Sequence, residues 1–203
     1  RDVGASFTAN TASFSAGVDS PNGDFPESAS LSVTGADIGS FTETGPANIV
    51  ASNTFAFSTP RTISKATAAG SVTFTLSSEA RNSGDTQSTS TSFAFYWRNY
   101  LAASSTVISD GTTLQNVLNN DLVQSPFDTN KSWTATCNAD NNVAGNFTYI
   151  IYPASYGDLS GVIQDGATPV LGAFTKLSDQ TANNSEGSSQ TWRIYKSNAD
   201  QAF

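Results

Sequence analysis

Ser71-Val72-Thr73-Phe74-Thr75-Leu76-Ser77 alternates without a break: Val72, Phe74 and Leu76 fall on one side of an extended chain and hydroxyls on the other. Successive side chains of a strand point to opposite faces, so this stretch predicts a half-buried strand. Working outward, Leu31 and Val33, Phe55 and Phe57, and Phe93, Phe95 and Trp97 repeat the pattern. Between them lie Ser20-Pro21-Asn22-Gly23, Gly45-Pro46, Thr59-Pro60, Ala69-Gly70 and Asn82-Ser83-Gly84-Asp85. Gly, Pro and Asn supply the backbone angles that tight turns need, so these clusters mark the ends of strands. Short strands punctuated in this way predict an all-β fold. The first half reads as an immunoglobulin-like antiparallel sandwich without the disulfide.

The second half has a different texture. Leu114, Val117, Leu118 and Leu122 recur at i, i+3, i+4 and i+8, with Ser109 or Asp110 placed to cap, which predicts one short amphipathic helix. Phe147-Thr148-Tyr149-Ile150-Ile151-Tyr152 is apolar on both faces and predicts a central, covered strand. Pro153 starts a helical turn directly after it. Asp165-Gly166, between Val162-Ile163 and Val170-Leu171, predicts a hairpin, and Thr191-Trp192-Arg193-Ile194-Tyr195 a last strand after the polar run Asn183–Gly187. The expected organisation is an N-terminal arm or first hairpin over 1–25 and an immunoglobulin-like sandwich over 26–96. A second, small β-rich domain with one short helix follows over 97–203.

Charged residues are 13% of the 203, about half the usual ~25%, and Ser, Thr, Asn and Gly take their place. Solubility then rests on hydroxyls and amides, which suits strands with a Thr/Ser solvent face. The net charge of -8 repels phosphate backbones and no Lys/Arg cluster offsets it, which argues against nucleic acid as a partner. No stretch approaches the roughly 20 apolar residues of a membrane-spanning helix, so membrane insertion is not expected. The chain begins at Arg1 rather than Met, and any address carried ahead of it falls outside this reading. A single cysteine, Cys137, excludes an internal disulfide framework.

Catalytic chemistry finds little to work with. The chain has no His, which removes the commonest general base and the Ser-His-Asp arrangement. One Cys without His is poor zinc chemistry, and no phosphate-cradling Gly loop is present. A carboxylate pair would have to come from Asp110, Asp121, Asp128, Asp158 and Asp165. Nearly all of these stand beside Gly, Ser or Asn, where Asp ordinarily caps a helix or closes a turn. Cys137-Asn138-Ala139-Asp140-Asn141-Asn142 lacks the alternation and trailing Glu of a calcium loop and reads as a polar connection. Trp97, Trp133, Trp192, Tyr149, Tyr152 and Tyr156 could form a sugar-stacking platform, but Trp97 and Trp192 lie in alternating strands where packing is the default. Trp133 and Tyr156 are the aromatics expected at the surface. N-x-[ST] triplets at Asn130, Asn146 and Asn183 are near chance in so Asn- and Ser-rich a chain. No catalytic, cofactor-binding or metal-binding residue is assigned, and no cofactor is expected.

The order of stations in the second half resembles a domain recurrent in tail-fibre-like and virion structural proteins of tailed bacteriophages, of the marine and cyanobacterial type. The stations are Phe95-Tyr96-Trp97, the helix around Leu114–Leu118, and Tyr149-Ile150-Ile151-Tyr152-Pro153-Ala154-Ser155-Tyr156-Gly157. Ala173-Phe174-Thr175-Lys176 and Trp192-Arg193-Ile194-Tyr195-Lys196-Ser197 complete the set. Thr62-Ile63-Ser64-Lys65 through Ser71–Leu76 is similar to the immunoglobulin-like module that often precedes it. Arg98 departs from the pattern, standing where the family commonly has Gly. The resemblance covers roughly 55–200 and carries over no catalytic residue. It implies a non-enzymatic fibre, neck or capsid-surface component of a virion, assembled in the bacterial cytoplasm and displayed on the extracellular particle. The implied partners are other virion proteins and copies of the chain itself, with a host surface glycan as a further partner. A secreted or surface carbohydrate-binding or adhesin module is the alternative, and a tail-spike depolymerase would need two catalytic carboxylates in one groove.

Overall fold

A computed structural model describes residues 1–13, 26–37, 39–44, 54–80, 84–119, 123–125, 134, 145–164 and 166–199. The chain is all-β, with antiparallel sheets throughout and one short α-helix. It separates into two compact units, Val3–Tyr96 with Arg1, and Trp97–Phe203 with Asp2.

The first unit holds β1 (Ser6–Ser13), β2 (Pro26–Thr34), β3 (Phe41–Thr44), β4 (Thr54–Ser64), β5 (Gly70–Ala80) and β6 (Thr86–Phe95). A four-stranded sheet runs β3-β2-β5-β6, and β1 pairs with β4 as a separate two-stranded ribbon. The register explains the alternation: Leu31 faces Leu76, Val33 faces Phe74 and Val72 faces Phe93 across the ladders. Leu31, Val33 and Val72 are fully buried on that face, so β2 and β5 both contribute to one apolar layer. Phe7 on β1 meets it, its ring 6.3 Å from Phe74 and 5.6 Å from Phe93. The hydroxyl face pairs Thr73 with Ser92 at 2.9 Å and Thr75 with Ser90 at 3.1 Å.

One expected turn is not a turn. Thr59-Pro60 lies inside β4, where the pairing with β1 slips between Ala9 and Thr11. Proline lacks the N–H that a ladder needs, and an irregular register is where a strand tolerates it. The clusters at Ser20–Gly23 and Gly45-Pro46 lie outside the described residues.

In the second unit, β7 (Asn99–Ser104) leads into α1 (Gly111–Leu118) and β8 (Val123–Ser125), then β9 (Phe147–Pro153). Next come the hairpin β10 (Ile163–Gln164) and β11 (Thr168–Pro169), then β12 (Phe174–Lys176), β13 (Gln180–Asn183) and β14 (Ser189–Ser197). The sheet order is β12-β14-β9-β7-β8, with β13 also on β14. Strand β9 is central, as its two-sided apolar pattern predicts. Ile150, Tyr152 and Tyr195 are buried under Leu101, Tyr156, Leu159, Val162 and Phe174 on one face. Tyr100, Tyr149, Ile151, Trp192 and Ile194 are buried on the other. The helix stops at Leu118, with Asn119 as its cap. Leu122, which the spacing placed on the helix, lies outside the described residues. Leu114, Val117 and Leu118 supply the buried stripe. Among the described residues no helix is long and apolar enough to cross a membrane.

Candidate functional site

The most built part of the second unit is the corner where β9 ends. Pro153, at φ -54°, opens a 3-10 turn over Ala154–Tyr156, and Gly157 closes it at φ 87°, a left-handed angle that suits glycine. The Gly157 N–H donates to the Ala154 carbonyl at 3.2 Å. Tyr152 stacks on Tyr195 with ring centroids 6.2 Å apart and planes 12° off parallel. Both hydroxyls are used on the corner: Tyr152 donates to the Gly157 carbonyl at 3.0 Å, and Tyr195 accepts from the Leu159 N–H at 3.2 Å. Burial pushes the Tyr152 phenol well above its ordinary value, and the neighbouring Tyr195 pushes the same way.

A chain of ion pairs runs along the outside of this corner. Asp158 accepts from Lys176 at 2.7 Å and from Arg193 at 2.8 Å. Arg193 grips Asp179 at two points, Nε at 3.2 Å and Nη2 at 2.9 Å. The Lys176 hydrogen bond, with the nearby cations, holds Asp158 below its ordinary value. Asp179 raises Arg193 above its own. These shifts run against acid–base work: a carboxylic acid catalyst needs a raised pKa, and cations hold this carboxylate ionised. The arrangement fixes the corner to β12 and β14.

On the opposite face Trp192, wholly buried, takes Trp97 and Tyr100 edge-on, with centroids at 6.0 and 5.3 Å. Its Nε1–H donates to the Ala182 carbonyl at 2.9 Å. Trp97, Trp192, Tyr149 and Tyr152 are all buried, so no sugar-stacking platform is made from them. Tyr156, expected at the surface, is half-buried against the Tyr152 cluster. Trp133 lies outside the described residues. Arg98 donates to Asp2 at 2.6 Å. Tyr100 nearby is pushed up to about 12, by burial first and Asp2 second.

Of the candidate carboxylates, Asp110 and Asp158 fall among the described residues, and each is held in contacts of its own. Asp110 caps α1, its Oδ1 accepting from the Thr113 N–H at 2.8 Å while the Thr113 hydroxyl accepts from the Asp110 N–H at 3.0 Å. That reciprocal box keeps Asp110 low, through the Thr113 backbone bond above all. Asp121, Asp128, Asp165 and the Cys137–Asn142 run lie outside the described residues. Among the described residues no cluster of three His, Cys, Asp or Glu side chains could hold a metal ion.

Two features had little sequence signal. The Asp158-Lys176-Arg193-Asp179 chain joins residues from three segments, and only an Arg between the apolar Trp192 and Ile194 hinted at it. The second is a shallow polar groove between α1 and β13, about 350 Å³, lined by Thr112, Gln115, Asn116, Thr181, Asn183 and Ser189 among others. At its wall Gln115 pairs with the β13 backbone as a neighbouring strand would. Its Oε1 accepts from the Asn183 N–H at 2.7 Å, and its Nε2 donates to the Asn183 carbonyl at 3.1 Å. Gly111 lets the helix come this close, since a Cβ there would sit 2.4 Å from the Thr181 carbonyl oxygen. No family model, no curated protein and no solved structure matches this chain.

Proposed function

We propose that the chain is a non-enzymatic structural component of a bacteriophage virion, a fibre, neck or capsid-surface element, with an immunoglobulin-like first unit. One observation carries the reading. The most specific station of the resemblance, Tyr149–Gly157, is a paired neighbour of the last station, Trp192–Ser197: Ile151 faces Ile194 and Tyr152 faces Arg193 across β9 and β14. Within these stations Tyr152, Tyr195 and Arg193 commit their polar groups to fixing the corner. A low-charge β scaffold of this kind suits a particle part that presents loops and binds its neighbours. Peptide mass spectrometry on density-banded particles tests it, with enrichment at many copies per particle as the expected result. A protein found only in the medium or on cell envelopes would overturn it.

The groove between α1 and β13 favours a second reading, a carbohydrate-binding or adhesin module. Its lining of hydroxyls and amides matches the hydrogen-bonding groups of a sugar. A glycan array on the full chain tests this separately; binding lost in Asn116→Ala supports it, and a blank array removes it.

A further inference from the structure

Strand β6 is a sheet edge of unusual character. Thr86-Gln87-Ser88-Thr89-Ser90-Thr91-Ser92-Phe93-Ala94-Phe95 carries no charge and no proline, and all of it except Phe95 is exposed. Edges are normally blunted by Lys, Pro or a bulge, and the register of β6 on β5 runs unbroken from Glu79–Thr86 to Gly70–Phe95. The direction of its free backbone groups follows from its end. The Ala94 carbonyl accepts from the Arg1 amino group at 2.7 Å, and the Tyr96 N–H donates to the Arg1 carbonyl at 3.0 Å. Those residues therefore turn away from β5. Backbone direction alternates along a strand, so Thr86, Ser88, Ser90 and Ser92 turn outward with them. The close hydroxyl pairs Thr73–Ser92 and Thr75–Ser90 agree, since cross-strand side chains approach most at pairs that exchange no backbone bonds. Among the described residues nothing pairs with the outward groups of these four.

We propose that this edge pairs with the same edge of a second copy, antiparallel about a two-fold axis through Thr89. That register sets Thr86 of each copy against Ser92 of the other and Ser88 against Ser90, using every free group up to the stretch that Arg1 occupies. Two bonds per such pair give about eight across the interface. A second copy is favoured by charge. The chain as a whole carries -8, which opposes self-association, yet this strand carries none of it. Asp85 stands at one end of the edge, and the Arg1 guanidinium lies at the other, 4.6 Å over the Phe7 ring beside Phe93. Antiparallel pairing brings the acidic end of each copy to the basic end of the other. It also covers Phe93, a large apolar side chain left 41% exposed. The isologous geometry closes at two copies.

A single strand edge is smaller than a standard interface, so association is expected at roughly 10 to 200 µM chain. Sedimentation equilibrium over that range on the full chain reads it directly. Thr89→Lys and Thr89→Glu each set like charges face to face on the axis and weaken dimerisation at least about tenfold, whereas an equimolar mixture of the two restores it. Ser90→Pro removes an outward N–H that β5 does not use; it gives a monomer with an unchanged far-UV spectrum. A wild-type chain that stays monomeric throughout overturns the proposal. So does a dimer indifferent to all three substitutions, or a Lys/Glu mixture that stays monomeric. The outcome is separable from the virion proposal: a monomer enriched in particles would sink this inference alone, and a dimer absent from particles would sink the other.

Discussion

Replacing Trp192 by Phe tests the core of the second unit at its largest buried side chain. The indole Nε1–H bond to the Ala182 carbonyl is lost and that carbonyl, in a residue 7% exposed, is left without its partner. Stranding a buried acceptor costs about 1–3 kcal/mol. The smaller ring also leaves a void between Trp97 and Tyr100, which adds about 1–2 kcal/mol by the usual transfer-plus-cavity relation. The sum is about 3 kcal/mol, a large part of the roughly 5–15 kcal/mol that holds a domain folded. For a unit near 100 residues this lowers the melting temperature by about 12–24 °C. Urea unfolding by far-UV circular dichroism gives the loss, and hydrogen exchange of the Tyr149–Tyr152 amides assigns it to this unit. A loss under about 1 kcal/mol, with exchange unchanged, would refute the claim that Trp192 organises the face.

Other outcomes follow from single groups. Asn99 is fully buried with neither amide atom hydrogen-bonded, so Asn99→Leu, nearly the same size, should stabilise by about 1–2 kcal/mol in urea unfolding; a destabilised variant would mean that the amide has a partner. Gly111→Ala improves helix propensity by about 1 kcal/mol but drives a methyl into the Thr181 carbonyl, so a net loss of about 1–3 kcal/mol is expected in thermal unfolding. Asp158 is held below the ordinary 3.8 in the folded chain, so its contribution is complete above that value and is lost as pH falls through the lowered one. The melting-temperature gap between wild type and Asp158→Asn should therefore narrow between pH 5 and pH 2, and a constant gap would contradict the ion-pair account.

Much of this architecture is written in local patterns. The Ser71–Ser77 alternation gave the face of β5, and the two-sided run ending in Tyr152 placed β9 at the centre, because strand periodicity reports burial directly. The cap was legible as Ser109 or Asp110 from their position before Leu114, and the helix uses Asp110. What escaped has physical causes. Pro60 looks like a terminator in one dimension, and only the partner strand's slipped register makes room for it inside β4. Leu122 keeps the helical phase of Leu114, but phase does not reveal that Asn119 has already capped the helix. The Arg193 contacts and the Gln115 bridge join residues 14 to 68 positions apart, and sequence spacing carries no signal at that range.

The Gln115 bridge gives the β13 edge a chemical age. Its hold depends on one side-chain oxygen that accepts and one nitrogen that donates, to Asn183 on one side and to Asn119 at 3.0 Å on the other. Hydrolysis of that amide to a carboxylate, the slow fate of glutamine in any long-lived protein, would leave the Asn183 N–H satisfied. It would also set a bare oxygen against the Asn183 carbonyl and the Asn119 carboxamide oxygen. The helix would then be pushed from the strand it seals, and an old molecule would expose an edge that a fresh one keeps shut.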